Sequence, residues 1–159
     1  MDNTLIIGLA TILAAAAPIL FAAIGETISE RAGVINLSAN GTILLSAMAG
    51  FAVAVSTNSV LLGFITGALI GGLVAFIVAF FSISLKQSQV AVGFILALLC
   101  RDLAYFLGNP IMGRSGPTVG YLPIPLLKEI PILGPIFFRQ DIMTYLSYLL
   151  VIIAYIYIF

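Results

Sequence analysis

Charge is scarce in this chain, and several residue types that carry chemistry are missing. Lysine and arginine number 6, aspartate and glutamate 6, and charged residues make up 8% of the 159, against about 25% in a typical soluble domain. Histidine is absent, which removes the commonest general base, proton shuttle and metal ligand. The one cysteine, Cys100, lies in an apolar run with no partner for a disulfide or a zinc site and reads as a small buried hydrophobe. Net charge is zero, so no basic face is available for a nucleic acid polymer. The N-terminal MDNT lacks the positive charge that opens a signal peptide. No nucleophile elbow, phosphate-binding lysine loop or zinc-protease motif occurs. The lack of histidine and of any carboxylate cluster argues strongly against a membrane-embedded enzyme, and no catalytic residue, metal or cofactor is assigned.

Apolar residues are abundant instead, at 62% of the chain. A soluble fold of this length exposes too much surface to hide them, whereas a bilayer removes the problem. The apolar runs far exceed strand length and show no sustained alternation. The expected fold is therefore all-α, a polytopic membrane helix bundle of about five transmembrane helices. Leu5–Ile24 supplies the first span, with Pro18 inside it. No charge occurs from Ala32 to Leu85, a stretch long enough for two spans of about 20 residues each. These are placed at Gly41–Val55 and Val60–Ser84, divided at Ser56-Thr57-Asn58-Ser59. The former is short unless part of GVINLSAN also enters the membrane. A fourth span runs from Ser88 to Leu107 and a fifth from Ile142 to Phe159. Between them, Gly108–Gln140 is a connector that holds every proline except Pro18. Within it GNPIMGRSGPTVG is a run of turn signals, and LPIPLLKEIPIL reads as a short helix or hairpin on the membrane surface.

Three features interrupt the apolar pattern. Gly63, Gly67 and Gly71 recur every fourth residue, which on a helix makes a smooth stripe that a second backbone can approach. The stripe is read as a helix–helix seam, against generic glycine enrichment in membrane helices. Arg101 and Asp102 fall about 18–20 Å along the fourth helix, and intramembrane charges default to a functional role. As sequence neighbours they point about 100° apart and are not expected to pair along one face. The bland alternative has Arg101 snorkelling to headgroups while Asp102 finds a helix partner. The third feature is ISERAGVINLSANG, Ile28–Gly41, a polar interruption between two apolar blocks. It is either an interfacial loop with Ser38 or Asn40 as N-cap of the second helix or a working segment.

The run PILFAAIGETISERAGVINLSANGTILLSAMAGF, Pro18–Phe51, resembles the opening of permease subunits of bacterial ABC importers in the ribose, nucleoside and branched-chain amino acid superfamily. It is most similar to the nucleoside or simple-sugar branch that works with a substrate-binding lipoprotein. Its most specific part is ERAGVINLSANG, Glu30–Gly41, and SQVAVGFILALL, Ser88–Leu99, resembles the next recognisable segment. The resemblance implies a transmembrane subunit of an ATP-driven importer that moves nucleosides or simple sugars across the cytoplasmic membrane by alternating access. Its implied partners are ABC ATPase subunits, a second permease subunit, an extracytoplasmic substrate-binding lipoprotein, a small polar solute and membrane lipid. A branched-chain amino acid permease and a non-transporting truncated remnant remain the alternatives.

Under this resemblance residues 1–159 form a single, incomplete permease domain, with 108–140 as an extracytoplasmic proline-rich connector. Lysine and arginine counts leave the topology open; the resemblance sets Phe159 and Ile28–Gly41 on the cytoplasmic side and the N-terminus outside. Asn36, Ser38 and Asn40 become substrate-path candidates in an unwound segment bounded by Gly33 and Gly41. Arg101 and Asp102 join them as candidates, although apolar residues are expected there in relatives. The family's ATPase-docking loop is not found before Phe159, so the 159-residue chain alone is expected to insert without transporting.

Overall fold

The computed structural model describes residues 3–124 and 133–158. The expected surface element in LPIPLLKEIPIL falls largely outside the described residues. Six α-helices are described: α1 Asn3–Arg31, α2 Ala39–Thr57, α3 Val60–Ala79, α4 Gln89–Gly108, α5 Leu133–Phe137 and α6 Ile142–Ile158. A π-helical turn, Phe80–Ser84, prolongs α3, and a 3₁₀ turn, Asn109–Ile111, prolongs α4. Among the described residues there is no strand, and an isolated bridge joins Tyr121 to Asp141.

The fold is all-α. The five expected spans appear as four helices long and apolar enough to cross a bilayer and one shorter apolar helix. At 17 residues, α6 is about 25 Å long, at the low end of what spans. Several boundaries differ from the sequence reading, and two of the differences bear on the polar segment. The first helix does not stop at Ile24 but runs on through Glu26 and Glu30 to Arg31, because these polar residues are themselves adequate helix formers. The next helix begins at Ala39, so Asn40 and Gly41 lie inside its first turn.

Two compact units are present, Ser29–Thr118 and the pair of segments Met1–Ile28 and Val119–Phe159. In the Ser29–Thr118 unit, α3 and α4 both pack on α2 and touch each other far less. Apolar contact alone does not drive helices together in lipid, so close backbone packing must. Glycine makes that approach possible. A Cβ on Gly63 would stand 2.8 Å from the carbonyl oxygen of Gly50 and 2.9 Å from the Ala54 Cβ. One on Gly67 would lie 3.4 Å from the Ser46 carbonyl oxygen, and one on Gly71 3.6 Å from Ser46 Oγ. The α2–α3 contact is thus tightest at Gly63 and loosens toward Gly71. On the other side of α2, a Cβ on Gly41 would run into the backbone of Ala97. Val74, Val78, Leu96 and Cys100 form the buried apolar cluster of this unit.

Polar side chains set the turns. Ser59 Oγ accepts from the Leu62 N–H at 3.4 Å and Ser88 Oγ from the Ala91 N–H at 3.5 Å, capping α3 and α4. Asn58, with φ 51°, takes the left-handed conformation that closes α2.

In the other unit, Gln140 is 2% exposed, and its Nε2 donates to the Ala10 carbonyl at 3.0 Å and the Ile136 carbonyl at 2.8 Å. Asp141 Oδ1 accepts from both the N–H and the hydroxyl of Thr144 at 2.7 Å, the geometry of an N-cap for α6. Together these bonds tie the end of the proline-rich connector to α1 and α6.

The glycine contacts generate a graded expectation. Gly63→Ala, which meets backbone, should destabilise the detergent-solubilised protein by about 1–3 kcal/mol. Gly72→Ala has nothing within 4 Å of the new Cβ and should be neutral or stabilising by up to ~1 kcal/mol through helix propensity. Thermal unfolding of the two variants checks this; equal melting temperatures would contradict the close contact.

Candidate functional site

The polar segment between α1 and α2 is built around one glycine. Gly33 has φ +79°, a conformation that L-residues with side chains rarely adopt. Its N–H donates to the Glu30 carbonyl at 2.9 Å, and the Val34 N–H donates to the Ser29 carbonyl at 2.9 Å. This paired arrangement is a Schellman motif, which satisfies the last carbonyls of α1 and turns the chain out of the helix. The break therefore starts at Gly33, but Gly41 does not end it.

Three contacts then hold the open backbone. The Ile35 N–H donates to Gln89 Oε1 at 3.4 Å, so the first residue of α4 covers a donor that has no helical partner. Asn36 Oδ1 accepts from the Ser38 N–H at 3.2 Å and from Ser38 Oγ at 2.6 Å, an Asx turn that leads into α2. A Cβ on Gly93 would lie 3.3 Å from the Leu37 nitrogen and 3.4 Å from the Ser38 nitrogen. Gly93 thus lets α4 lie directly against the break. Ser38 occupies the N-cap position of α2, but its side chain makes no capping bond. Its carbonyl accepts from the N–H and the hydroxyl of Thr42, both at 2.9 Å.

Opposite the break, α3 ends in its π-helical turn. The Leu85 N–H donates to the Phe80 carbonyl at 3.3 Å and the Gln87 N–H to the Phe81 carbonyl at 3.0 Å. Lys86 follows with φ 52°, an uncommon conformation for a non-glycine residue. Between the break, the end of α3 and the start of α4 lies a cavity of about 250 Å³. Its polar lining comes from Ser29, Asn36, Ser38, Thr42, Ser82 and Gln89, and its apolar lining includes Val34, Ala75, Val78 and Ile83. No charged side chain is among the described residues that line it.

The sequence candidates separate on this geometry. Asn36 and Ser38 both line the cavity, whereas Asn40 is exposed on the first turn of α2 and does not. Arg101 and Asp102 are also outside the lining. They form an ion pair, Arg101 Nε to Asp102 Oδ1 at 3.1 Å, with side chains 46% and 68% exposed. The expectation that they would not pair is corrected here. Adjacent residues do diverge around the helix, but the arginine side chain is long enough to bend around the circumference and reach its neighbour.

Sequence reading missed Ser29, Thr42, Ser82 and Gln89. Ser82 did carry a signal, as a hydroxyl in the otherwise apolar run FFSIS. Gln89 and Thr42 are brought to the site by the packing of α4 and α2, which no local pattern marks.

Comparison with known proteins gives a consistent family. The model for "Branched-chain amino acid transport system / permease component" matches residues 8–159. The chain is 36% identical over 149 residues to the "Putative glucose ABC transporter permease protein" of Haloferax volcanii, covering 91% of this chain and 45% of that protein. It is 29% identical over 148 residues to the "Nucleoside ABC transporter permease protein" of Lactococcus lactis subsp. cremoris, covering 87% of this chain and 47% of that protein. The chain thus spans about half the length of the curated relatives it matches. No solved structure matches it.

Substitutions at two places test the geometry. Gly33→Ala places a side chain in open space but keeps the left-handed φ, so it should cost about 1–2 kcal/mol of stability, with Gly33→Asn milder; a thermal melt of each measures it. At the ion pair, Asp102→Ala strands a guanidinium in an apolar helix, whereas the double Arg101→Leu, Asp102→Leu variant removes both charges. Membrane insertion, scored by yield and melting temperature, should be lower for the single variant than for the double one, following the asymmetry of broken and replaced ion pairs.

Proposed function

Because the chain belongs to the family of branched-chain amino acid transport system permease components, we propose that it supplies a membrane-spanning part of an ATP-driven importer for uncharged, hydroxyl-bearing solutes, nucleosides or simple sugars. Its family and its four long apolar helices make it a multi-pass protein of the cytoplasmic membrane, a transporter component and not an enzyme. ATP hydrolysis comes from separate ATPase chains, solute is delivered by an extracytoplasmic binding protein, and a second permease subunit completes the path.

The observation that carries this reading is the neutral polar cavity. A chain that spends most of its length on apolar residues gathers two amides and four hydroxyls around one space and keeps charge out of it. Sugars and nucleosides present hydroxyls and ring heteroatoms, which such groups bind by hydrogen bonds. A branched-chain amino acid presents an ammonium and a carboxylate, and burying these without paired charge is expensive. The names of the two relatives, a glucose and a nucleoside permease, support the same solute class. This reading assigns Asn36 and Ser38, the break residues that line the cavity, to that solute and takes the α1–α2 break as part of the translocation path.

The test is uptake in cells that carry the assembled importer with its ATPase and binding protein. Radiolabelled uridine or D-glucose should accumulate, and L-leucine should not. Asn36→Asp keeps the Oδ acceptor for Ser38 but brings a charge into the cavity. It should lower uptake of the neutral solute by about tenfold, equivalent to ~1.4 kcal/mol, at an unchanged level in the membrane. Accumulation of leucine alone would reassign the chain to amino acid transport.

A further inference from the structure

Six hydroxyls on the α-helices share one habit, whereas Ser147 bonds three residues back and Ser46 bonds nothing among the described residues. Thr11, Thr27, Thr42, Ser56, Thr57 and Thr66 each donate to the carbonyl four residues earlier, at 2.7–2.9 Å. That bond exists because 3.6 residues per turn stack a side chain over the carbonyl one turn back, and it hides a polar group from lipid. Ser82 departs from the habit. Its Oγ is buried and has no hydrogen-bond partner among the described residues, and it lies in the π-helical turn Phe80–Ser84.

Ser82 lines the same cavity as Asn36, Ser38 and Gln89. Those three have committed polar atoms to the break: Asn36 Oδ1 to Ser38, Ser38 Oγ to Asn36, and Gln89 Oε1 to the Ile35 N–H. Ser46 also has a buried, unpartnered Oγ, but it does not line this cavity and stands instead against Gly71 in the α2–α3 contact. A buried hydroxyl that bonds nothing carries its full desolvation penalty, and each such group in a folded protein calls for an explanation, a functional partner being one. We infer that Ser82, whose buried hydroxyl has no partner among the described residues and which lines the cavity from the π-turn, is a specificity-determining contact that exchanges a hydrogen bond with a hydroxyl of the bound solute. This assignment rests on the solute-importer reading. It adds that recognition falls on a hydroxyl-to-hydroxyl contact on α3, in addition to the residues of the break.

Two measurements test it on the full chain in membrane vesicles. In a Cys100→Ala background, Ser82→Cys is compared with Phe76→Cys, on an exposed face of the same helix, and with Ser46→Cys. The probe is 2-hydroxyethyl methanethiosulfonate, small, neutral and water-soluble. Thiols react as thiolates and need a polar setting; Ser82 borders the polar cavity and Ser46 stands in the α2–α3 contact, so the Ser82→Cys thiol should react about tenfold faster than either control. D-glucose or uridine at saturating concentration should slow it, and L-leucine should not.

The second measurement is the melting temperature of Ser82→Ala, which should equal or exceed that of the parent because no protein hydrogen bond is lost. A slow Ser82→Cys reaction, a fast one that neither D-glucose nor uridine slows, protection by leucine, or a lowered melting temperature for Ser82→Ala each overturns the assignment. The importer reading fails separately. Absent uptake with a reactive, protected thiol removes transport and keeps the site, and normal uptake with an unreactive thiol does the reverse.

Discussion

A peptide N–H or C=O left unpaired in hydrocarbon costs several kcal/mol, so irregular backbone survives near the membrane only where protein or a water-lined cavity covers it. This constraint organises the Ser29–Thr118 unit. With 19 residues, α2 is about 28 Å long, no longer than the hydrocarbon core of about 30 Å. Its first residue, and the break before it, must then stand at the edge of the apolar layer. Every device around the break answers that demand. The Schellman turn at Gly33 satisfies the carbonyls of α1, Asn36 satisfies the Ser38 N–H, and Gln89 reaches across to the Ile35 N–H. Gln89 can reach because α4 is drawn in against the break at Gly93 and against α2 at Gly41. Larger side chains at these two glycines would hold α4 off and leave the Ile35 N–H uncovered.

The same packing explains why a cavity exists at all. Along α2, close contacts to α3 are tight at Gly63 and looser at Gly67 and Gly71. The two helices therefore part toward the end that carries the break, and Gly71 itself is part of the cavity wall. The π-turn then carries α3 onward past its regular end. Helix divergence, unwound backbone and an irregular turn coincide at one end of the unit, and the polar residues concentrate there.

Much of this was legible in the sequence because composition alone separates membrane helices from the rest. The spans were placed to within a few residues wherever a charge-free run ended in turn residues, as at Ser56-Thr57-Asn58-Ser59. Errors arose where a local rule competed with another. Glu26 to Arg31 looked like loop because they are polar, yet helix propensity kept them in α1 until a residue able to adopt positive φ appeared. Gly41 looked like a second hinge, but its lack of a side chain serves contact with Ala97 instead. Arg101 and Asp102 were separated by helical geometry at the Cα level, while the flexibility of the arginine side chain closed the gap. Of the site, Asn36 and Ser38 were readable because they are local to the break. Thr42, Ser82 and Gln89 were not, since only the assembly of α2, α3 and α4 brings them to one space.

No charged side chain is among the described residues that line the cavity, and that bears on what the cavity can select. The Arg101–Asp102 pair lies on exposed surface of α4 and is absent from the cavity lining, so its field is not directed at a solute bound there. On the proposed reading, selection in the cavity depends on hydrogen bonds. Sites of that kind discriminate best against analogues that lack a hydroxyl, because a buried group is left without its partner. Around the break, Asn36 Oδ1, Ser38 Oγ and Gln89 Oε1 are already engaged in holding it. Ser82, whose hydroxyl has no partner among the described residues, adds to the cavity lining a polar group that the break does not use.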